Sequence, residues 1–496
     1  MKNRLGFWKN KWLWLSISLM ILLWLPSLFE PISYGDECIY LTLGQAFRQG
    51  LVYYRDIHDN KPPLLYLTAA LSFGKLFWFR LFNLIWNLFH LIIIYKLGRI
   101  LVKNKLAVFL GSLLFIFLLL IFEGRVANGE TFMMMPVTLA VYLLLSKGKR
   151  TDFPLGLTAG LLFSFGFLFK IPIIFDFAGI ILVFFAFPLK KINKKEILSL
   201  LKNHQLWGII TGFAAPVFLS IIYYSAKGAF TPYVRSALMQ NIGYLSSWQG
   251  GSSGLIVRFL LLAVITLLLF WQRKKLPFYP VFFSLWFVFA LFGALLSVRP
   301  YPHYLIEPVP SLVFLTILAL GQLLPLAKFK LKKSVFSTLA PLVAGGLLLF
   351  SFSFYNFWWY PQISYYRNFV RYATKRINKK QYFSFWGDKT KSDYLLADFI
   401  QKTIAPNETI FVWGDAACIY ATSQRLPPGR YTVNYHIYDF NGFEETLEAI
   451  KTKKPKLIIK LKNESRNWPK LNNLLQVNYL PLSLPETENQ LFLRRN

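Results

Sequence analysis

Acidic residues and cysteine are both scarce in this sequence, and each scarcity excludes a class of protein. The 496 residues include 23 Asp and Glu against 55 Lys and Arg, which gives a formal net charge of +32. In a soluble protein such an excess would suggest a nucleic-acid partner. Here the cations cluster in short loops between long apolar runs, which is how membrane topology is set. We therefore expect a lipid bilayer as the partner and no nucleic acid.

Cysteine is limited to Cys38 and Cys418. Two cysteines so far apart exclude a disulfide framework and give no zinc-ligand spacing. Both fall in segments predicted to lie outside the membrane, which is compatible with a single bridge between them, although their number alone does not establish it. No small-residue cleavage site precedes Glu30, so the basic start and the apolar run after it predict a retained first span.

Apolar residues, in contrast, make up 55% of the chain, and aromatic residues 18%. Apolar runs of about 17–25 residues are long enough to cross the hydrocarbon core of a bilayer as helices. They predict a polytopic α-helical membrane protein with about eleven transmembrane helices. The predicted spans are 12–29, 77–102, 105–122, 131–146, 154–169, 172–188, 207–226, 255–271, 277–297, 303–325 and 335–358. A shorter apolar segment at 62–76, entered through Pro62 and Pro63, predicts a re-entrant or interfacial helix.

The cations give the orientation of these spans. When the spans alternate, one set of loops carries most of the basic residues, and that side is cytoplasmic. The residues and segments concerned are Lys2, Arg4, Lys9, Lys11, 103–105, 147–150, 190–202, 273–275 and 328–333. The prediction is a multi-pass plasma-membrane protein with a cytoplasmic N-terminus, and with the loop 30–62 and the C-terminal segment outside.

The composition changes at about residue 360. Segments 391–403 and 442–453 have helical patterns, while 409–415 and 456–461 are typical of buried strands. Their alternation predicts a small extracytoplasmic α/β domain over 360–496, after a transmembrane domain over 1–359. No glycine-rich phosphate loop follows either strand, so a nucleotide-binding role lacks its motif.

The first outer loop, residues 30–62, concentrates charge. Its most unusual feature is the adjacent pair Asp36 and Glu37, directly after a span and before an amphipathic stretch from Ile39 to Phe47. One interpretation is structural, because acids at a helix N-terminus are stabilised by the helix dipole. The loop also contains three further ionisable candidates, namely His58, Asp59 and Lys61.

The acidic pair, together with the run YRDIHDNKPPLLYL at 54–67, resembles the bacterial polyprenyl-phosphate-sugar-dependent glycosyltransferases. These belong to the GT-C superfamily and are relatives of protein O-mannosyltransferases and lipid A aminoarabinose transferases. Further similarities are VANGETFMMMP at 126–136, FLFKIP at 167–172 and RPYPHYLIEPVP at 299–310. The resemblance covers roughly residues 10–310 and implies a GT-C-like catalytic domain.

The resemblance implies that a sugar passes from a polyprenyl-phosphate carrier to an extracytoplasmic glycan, lipid or protein, with inversion. Asp36 would be the base that deprotonates the acceptor, and Glu37 would orient the acceptor or act as the base instead. Lys61 would bind the departing phosphate, where negative charge grows. The chain lacks the additional module of eukaryotic protein O-mannosyltransferases, so the sugar and the acceptor stay open.

Other candidates have structural alternatives. Lys170 and Arg299 lie near predicted outer span ends, where they could bind phosphate or serve as interfacial anchors. Glu130 could contact substrate or cap its helix. His303 and Tyr304, like His58 and Asp59, are candidates for sugar or phosphate contacts. A divalent metal could bind His58 together with Asp36, Glu37 or Glu130. These residues do not have a fixed ligand spacing, so the sequence does not predict a cofactor.

Two other functions are compatible with the composition. A transporter or lipid-linked-sugar flippase would need ionisable residues near the bilayer midplane and often an inverted repeat. Asp176 is the clearest central charge, and no repeat is visible. A non-catalytic assembly factor would use the outer domain to bind a partner, and would tolerate loss of both Asp36 and Glu37.

Overall fold

The computed structural model describes residues 10–146, 152–189, 193–240, 251–324, 334–485 and 487–495. Several cations used to predict the orientation lie outside these ranges, namely Lys2, Arg4, Lys9 and those in 147–150, 190–192 and 328–333. The chain forms two compact units. The first comprises Met1–Leu25, Phe82–Ile222 and Gln240–Tyr360, and the second Pro26–Leu81, Tyr223–Met239 and Pro361–Asn496.

Most of the described chain is helical. The α-helices in chain order are α1 (Lys11–Trp24), α2 (Gly35–Arg48), α3 (Leu64–Ala70), α4 (Leu76–Leu101), α5 (Lys105–Ile121), α6 (Gly129–Ser146), α7 (Phe153–Phe167), α8 (Ile173–Ile181), α9 (Lys194–Leu201), α10 (His204–Ala226), α11 (Phe230–Tyr233), α12 (Gly251–Gln272), α13 (Phe278–Ala294), α14 (Val309–Leu323), α15 (Val335–Phe354), α16 (Gln362–Ala373), α17 (Lys379–Phe383), α18 (Gly387–Thr403), α19 (Ala417–Ser423), α20 (Asn434–Asp439), α21 (Phe443–Lys453) and α22 (Pro469–Asn478). Tighter helical turns occupy Leu25–Phe29, Pro302–Ile306 and Ser384–Trp386, and wider π-helical turns occupy Leu182–Ala186 and Val234–Met239.

Each predicted span coincides with one of these helices. Six helical segments in the described residues are long and apolar enough to cross a membrane: Lys11–Phe29, Leu76–Leu101, Gly129–Ser146, His204–Ala226, Gly254–Gln272 and Val335–Phe354. The other predicted spans correspond to shorter apolar helices: Lys105–Ile121, Phe153–Phe167, Ile173–Ala186, Phe278–Ala294 and Val309–Leu323. The chain is therefore a multi-pass membrane protein, and the number of crossings stays a prediction. The segment predicted to be interfacial contains α3.

In the first unit, α7 and α10 approach each other along a seam of glycines. Gly156 and Gly160 lie four residues apart on α7, as Gly208 and Gly212 do on α10. A Cβ atom at Gly160 would lie 2.2 Å from the Ile209 carbonyl oxygen. Small residues at this spacing let two helix backbones touch, which is how helices associate where lipid removes the hydrophobic driving force.

The second unit contains a four-stranded sheet in the order β1 (Ile410–Trp413), β2 (Leu457–Lys460), β4 (Gln490–Arg494) and β3 (Tyr479–Leu482). β1 and β2 are parallel, with Ile410 opposite Leu457, whereas β4 is antiparallel to both of its neighbours. Alternate strand residues face opposite sides, as the pleat requires. Ile410 and Val412 pack with α18 and α19, and Phe411 and Trp413 pack with α21 and α22.

The α/β prediction for this region is confirmed for both predicted strands and both predicted helices. Sequence patterns did not predict β3 and β4. β3 contains Pro481 and lies at the sheet edge, the position where a strand tolerates proline. Cys38 of α2 and Cys418 of α19 form a disulfide, so the bridge that the cysteine count left open is present.

The glycine seam gives a stability prediction. Gly160→Ala should destabilise the protein, because the added methyl group meets backbone rather than a movable side chain; overpacking of this kind costs about 1–3 kcal/mol. Gly345→Ala on α15 is the matched control, since a Cβ atom there has no neighbour within 4 Å. Thermal unfolding in detergent checks this. Equal midpoints for the two variants would mean that the seam is not closely packed.

Candidate functional site

The acidic pair lies in the first turn of α2, as the helix-dipole interpretation expects. The surroundings of the two carboxylates differ, however. Glu37 is buried and accepts two hydrogen bonds from Arg80, one from Nε to Oε1 at 2.9 Å and one from Nη2 to Oε2 at 2.6 Å. A bidentate pair of this kind fixes both the position and the charge of the carboxylate. Both carboxylate oxygens of Glu37 therefore take part in a structural contact.

Arg80 is the centre of this contact. Its guanidinium is almost fully buried and also forms an ion pair with Glu30, while Nη1 donates to the Ser27 carbonyl oxygen at 3.1 Å. Glu30 in turn accepts a hydrogen bond from the Tyr365 hydroxyl. A buried cation is tolerated only when paired in this way. We call Arg80, Glu30 and Glu37 the arginine clamp. It fixes the start of α2, which carries Asp36.

Asp36 is the accessible member of the acidic pair. Its side chain is 30% exposed, compared with 1% for that of Glu37. The Tyr40 hydroxyl donates to Asp36 Oδ2 at 3.2 Å, and the Lys61 amine lies 4.0 Å from the same oxygen. A carboxylate that is held on one side and open to solvent on the other can accept a proton from an incoming hydroxyl group.

Lys61 is held next to Asp36 by its own neighbours. Its amine lies 3.6 Å from Asp59 Oδ2 and 5.1 Å from the centre of the Tyr40 ring. Its backbone N–H donates to the Tyr66 hydroxyl at 2.8 Å, and that hydroxyl donates to Asp59 Oδ2 at 2.9 Å. Three predicted site residues, Asp36, Asp59 and Lys61, therefore form one charged cluster.

The remaining candidate of this loop, His58, is fully buried. Its ring packs edge-on against Tyr431, His436 and Phe440, with centroid distances of 5.5, 4.8 and 4.4 Å. His436 Nε2 lies 3.6 Å from Asp59 Oδ1, so the cluster continues into α20. Burial holds the pKa of His58 well below its usual value, and His436 and then Arg430 lower it further. Burial also lowers the pKa of His436, an effect that Asp59 opposes.

The first unit contains a separate charged cluster. Lys170 forms an ion pair with Glu130, and its amine lies 4.2 Å from the centre of the Tyr304 ring. His303 Nδ1 lies 2.8 Å from Glu123 Oε2, and Nε2 lies 3.9 Å from Glu130 Oε1. The structure thus brings together Lys170, Glu130, His303 and Tyr304, which were predicted from three different sequence segments.

Two further features of the first unit lie near these residues in sequence. Arg299 is partly buried, and its backbone N–H donates to the Ser297 hydroxyl at 3.4 Å. Asp176 is fully buried and accepts a hydrogen bond from Trp286 Nε1 at 2.6 Å, and Glu307 is buried as well.

Several residues of the arginine clamp and of the two charged clusters were not predicted from the sequence, namely Arg80, Glu30, Tyr40, Tyr66, His436 and Glu123. Arg80 had a usable signal, because a cation inside the apolar run LFWFRLFNL calls for a partner. The others are ordinary loop or helix residues in sequence. Among the residues that the structure describes, no group of three or more His, Cys, Asp or Glu side chains could hold a metal ion.

Comparison with known proteins supports the resemblance that the motifs suggested. Residues 60–206 match a family model described as dolichyl-phosphate-mannose-protein mannosyltransferase. The crystal structure of ArnT from Cupriavidus metallidurans bound to undecaprenyl phosphate matches with a TM-score of 0.61 and 12% identity, over 98% of each chain. The apo form of that protein gives a TM-score of 0.54 at 12% identity, over 97% of each chain. No curated protein matched the sequence.

An Archaeoglobus fulgidus oligosaccharyltransferase also matches, with a TM-score of 0.44 and 13% identity, over 91% of this chain and 70% of the other. This likeness is too distant for a comparison of sites. The two ArnT matches span both chains almost completely, and they show a shared fold. The predicted polytopic GT-C-like fold and the resemblance to polyprenyl-phosphate-sugar-dependent transferases are thus confirmed, while the roles of individual site residues stay predictions.

The arginine clamp gives a second stability prediction. Arg80→Met should leave Glu30 and Glu37 buried without a counter-charge, which costs about 3–5 kcal/mol for a buried pair. Arg55→Met is the matched control, because Arg55 forms an exposed pair with Asp56 at 2.8 Å. Exposed pairs contribute little, so the control should unfold near the wild-type temperature. If Arg80→Met unfolded no earlier than Arg55→Met, the clamp would not stabilise the fold.

The buried histidines predict an acid-labile region. Because the folded-state pKa of His58 lies below its value of about 6.5 in an unfolded chain, the unfolded state binds more protons as the pH falls through that value. Stability should therefore be complete above about pH 6.5 and decrease below it. His58→Gln should reduce this pH dependence, measured as thermal midpoints at pH 5.5 and 7.5. If the thermal midpoint of His58→Gln depended on pH as strongly as that of the wild type, groups other than His58 would be the cause.

Proposed function

We propose that this protein is a membrane glycosyltransferase that moves a sugar from a polyprenyl-phosphate carrier to an extracytoplasmic acceptor, with inversion at the anomeric carbon. The observation that carries the proposal is the difference between the two adjacent acids. Glu37 is held in a buried bidentate contact, while Asp36 is 30% exposed and lies beside Lys61. One carboxylate of the pair is thereby left available as a base.

In the proposed reaction the acceptor hydroxyl oxygen attacks the anomeric carbon of the donor sugar. A new carbon–oxygen bond forms as the bond from the anomeric carbon to the phosphate oxygen breaks. Polyprenyl phosphate leaves with the bonding electrons, and Asp36 takes the acceptor proton. Because the displacement occurs in one step, the product has the inverted configuration. Glu37, with both oxygens bound to Arg80, has a positioning role in this proposal.

Positive charge near the departing phosphate would stabilise the transition state. Lys61 lies 4.0 Å from Asp36 Oδ2 and is the proposed partner on the loop. In the first unit, Lys170 and Arg299 are proposed substrate-binding residues, and Glu130 with His303 is proposed to hold Lys170 in place. Tyr304 is proposed to contact the sugar. Asp59 is proposed to position Lys61, and His58 contributes packing rather than a substrate contact.

The polyprenyl-phosphate donor is supported by the family model, which is named for dolichyl-phosphate-mannose, and by the ArnT structure, which was solved with undecaprenyl phosphate bound. The acceptor class stays open among glycan, lipid and protein. We further propose that the protein lies in the plasma membrane with its N-terminus cytoplasmic and its C-terminal domain outside, where lipid-linked sugars meet their acceptors. The loop cations are the support for that orientation.

A transporter or flippase is the second candidate. The buried carboxyl groups of Asp176 and Glu307 support it, because ionisable residues within predicted spans often line transport routes. The two functions differ in chemistry, since a flippase moves the lipid-linked sugar across the bilayer without cleaving the bond to phosphate.

The test is sugar transfer by the reconstituted protein, using a panel of undecaprenyl-phosphate-linked radiolabelled sugars and cell-envelope acceptors. Asp36→Asn should reduce transfer by about 10²–10⁴-fold, the usual contribution of a general base. Asp56→Asn is the matched control, because Asp56 is another carboxylate of the same loop and is paired with Arg55. An intact disulfide between Cys38 and Cys418 reports correct folding in both variants.

Full transfer by Asp36→Asn would contradict the assigned base. Translocation of the labelled lipid across vesicles, with no transfer to any acceptor, would contradict the enzyme and favour the flippase.

A further inference from the structure

Helix α16 has an exposed apolar face that the proposed enzyme does not use. Ile363 is 78% exposed and Val370 is 55% exposed. The two residues are seven positions apart, so they lie almost in line on one side of the helix. On the other side, Tyr365 is buried, and Tyr372 stacks on the ring of Tyr382 at 4.4 Å. The helix is thus strongly amphipathic, with aromatic residues inside and aliphatic residues outside.

Cations border the exposed apolar face. Arg367 and Arg371 lie on the same side of α16 as Ile363 and Val370, and both are exposed. Four more exposed cations follow within nine residues: Lys375, Arg376, Lys379 and Lys380. No acidic residue occurs between 361 and 387. Among the described residues, none of these six cations forms a salt bridge. The segment therefore presents concentrated positive charge together with aliphatic side chains.

The position of α16 in the chain indicates what covers this face. Only seven residues separate its first residue, Gln362, from Phe354, the end of the last apolar helix. Two of them, Trp358 and Trp359, are 49% and 67% exposed, and tryptophan is enriched where a span meets the headgroup layer. The predicted orientation places this segment outside the membrane, where topology control does not call for cations. Another reason for the charge is needed.

We propose that α16 lies on the outer surface of the bilayer, with Ile363 and Val370 inserted among the acyl chains and with the six cations bound to anionic phospholipid headgroups. Amphipathic helices rich in Lys and Arg bind membranes in this way, and their binding depends on anionic lipid. The tyrosine face of α16 packs within the second unit, so the helix would fix the height of that unit, including Asp36, above the membrane. The proposal does not depend on the enzymatic one.

The depth of Val370 in a bilayer tests this directly. Both native cysteines are paired, so a cysteine introduced at this position is the only free thiol available for a nitroxide label. Val370→Cys is reconstituted in nanodiscs that contain phosphatidylcholine with phosphatidylglycerol, and the collision rates of the label with oxygen and with a water-soluble nickel chelate are compared. Leu349→Cys on α15, 70% exposed at a predicted lipid-facing site, gives the acyl-chain reference. Lys451→Cys on α21, which is exposed, gives the aqueous reference.

The oxygen-to-nickel ratio at residue 370 should be several-fold above that at residue 451 and should approach that at residue 349. A ratio equal to that at residue 451 would overturn the proposal and leave the face free for another protein. The ratio should decrease in phosphatidylcholine alone and in the variant that combines Arg367→Gln with Arg371→Gln. If the ratio stayed the same after both changes, the role of the anionic headgroups would be overturned. Sugar transfer is not measured, so the outcome is independent of the proposed reaction.

Discussion

The buried guanidinium of Arg80 is the contact on which the rest of the proposed catalytic loop depends. A cation with 1% side-chain exposure is stable only with full pairing, and Glu30 and Glu37 supply it. The same contact occupies both oxygens of Glu37 and fixes the first turn of α2. It therefore decides which of the two adjacent carboxylates stays accessible. The arginine clamp fixes the first turn of α2, and the position of that turn leaves the Asp36 side chain partly exposed.

The loop 30–62 and the C-terminal residues from Pro361 onward lie in one compact unit. A disulfide joins α2 to α19, the Tyr394 hydroxyl accepts a hydrogen bond from the Ile32 backbone N–H at 2.8 Å, and His436 approaches Asp59. These contacts give the C-terminal domain a physical role, because they position the loop that carries the acidic pair. Lys61, Asp59 and His436 form a continuous series from the proposed base into that domain.

Much of this arrangement could be predicted from the sequence, for identifiable reasons. The helices of the predicted spans are long apolar runs, and a run of that length has few alternatives to a helix. β3 was missed because Pro481 weakens its strand signal, and a proline is tolerated there only because β3 is an edge strand. In the loop, the residue types Asp36, Glu37 and Lys61 indicated chemistry. The different environments of Asp36 and Glu37 could not be predicted, because they depend on Arg80, 43 residues beyond Glu37.

The stereochemistry of the transferred sugar tests the central claim most directly. If Asp36 acts as a base, the acceptor displaces polyprenyl phosphate in one step. The anomeric configuration of the product, determined by NMR from the coupling constant of the anomeric proton, should then be opposite to that of the lipid-linked donor. Retention of configuration would require two displacements through a covalent intermediate. That result would contradict Asp36 as a base and assign it, or another carboxylate, the role of nucleophile.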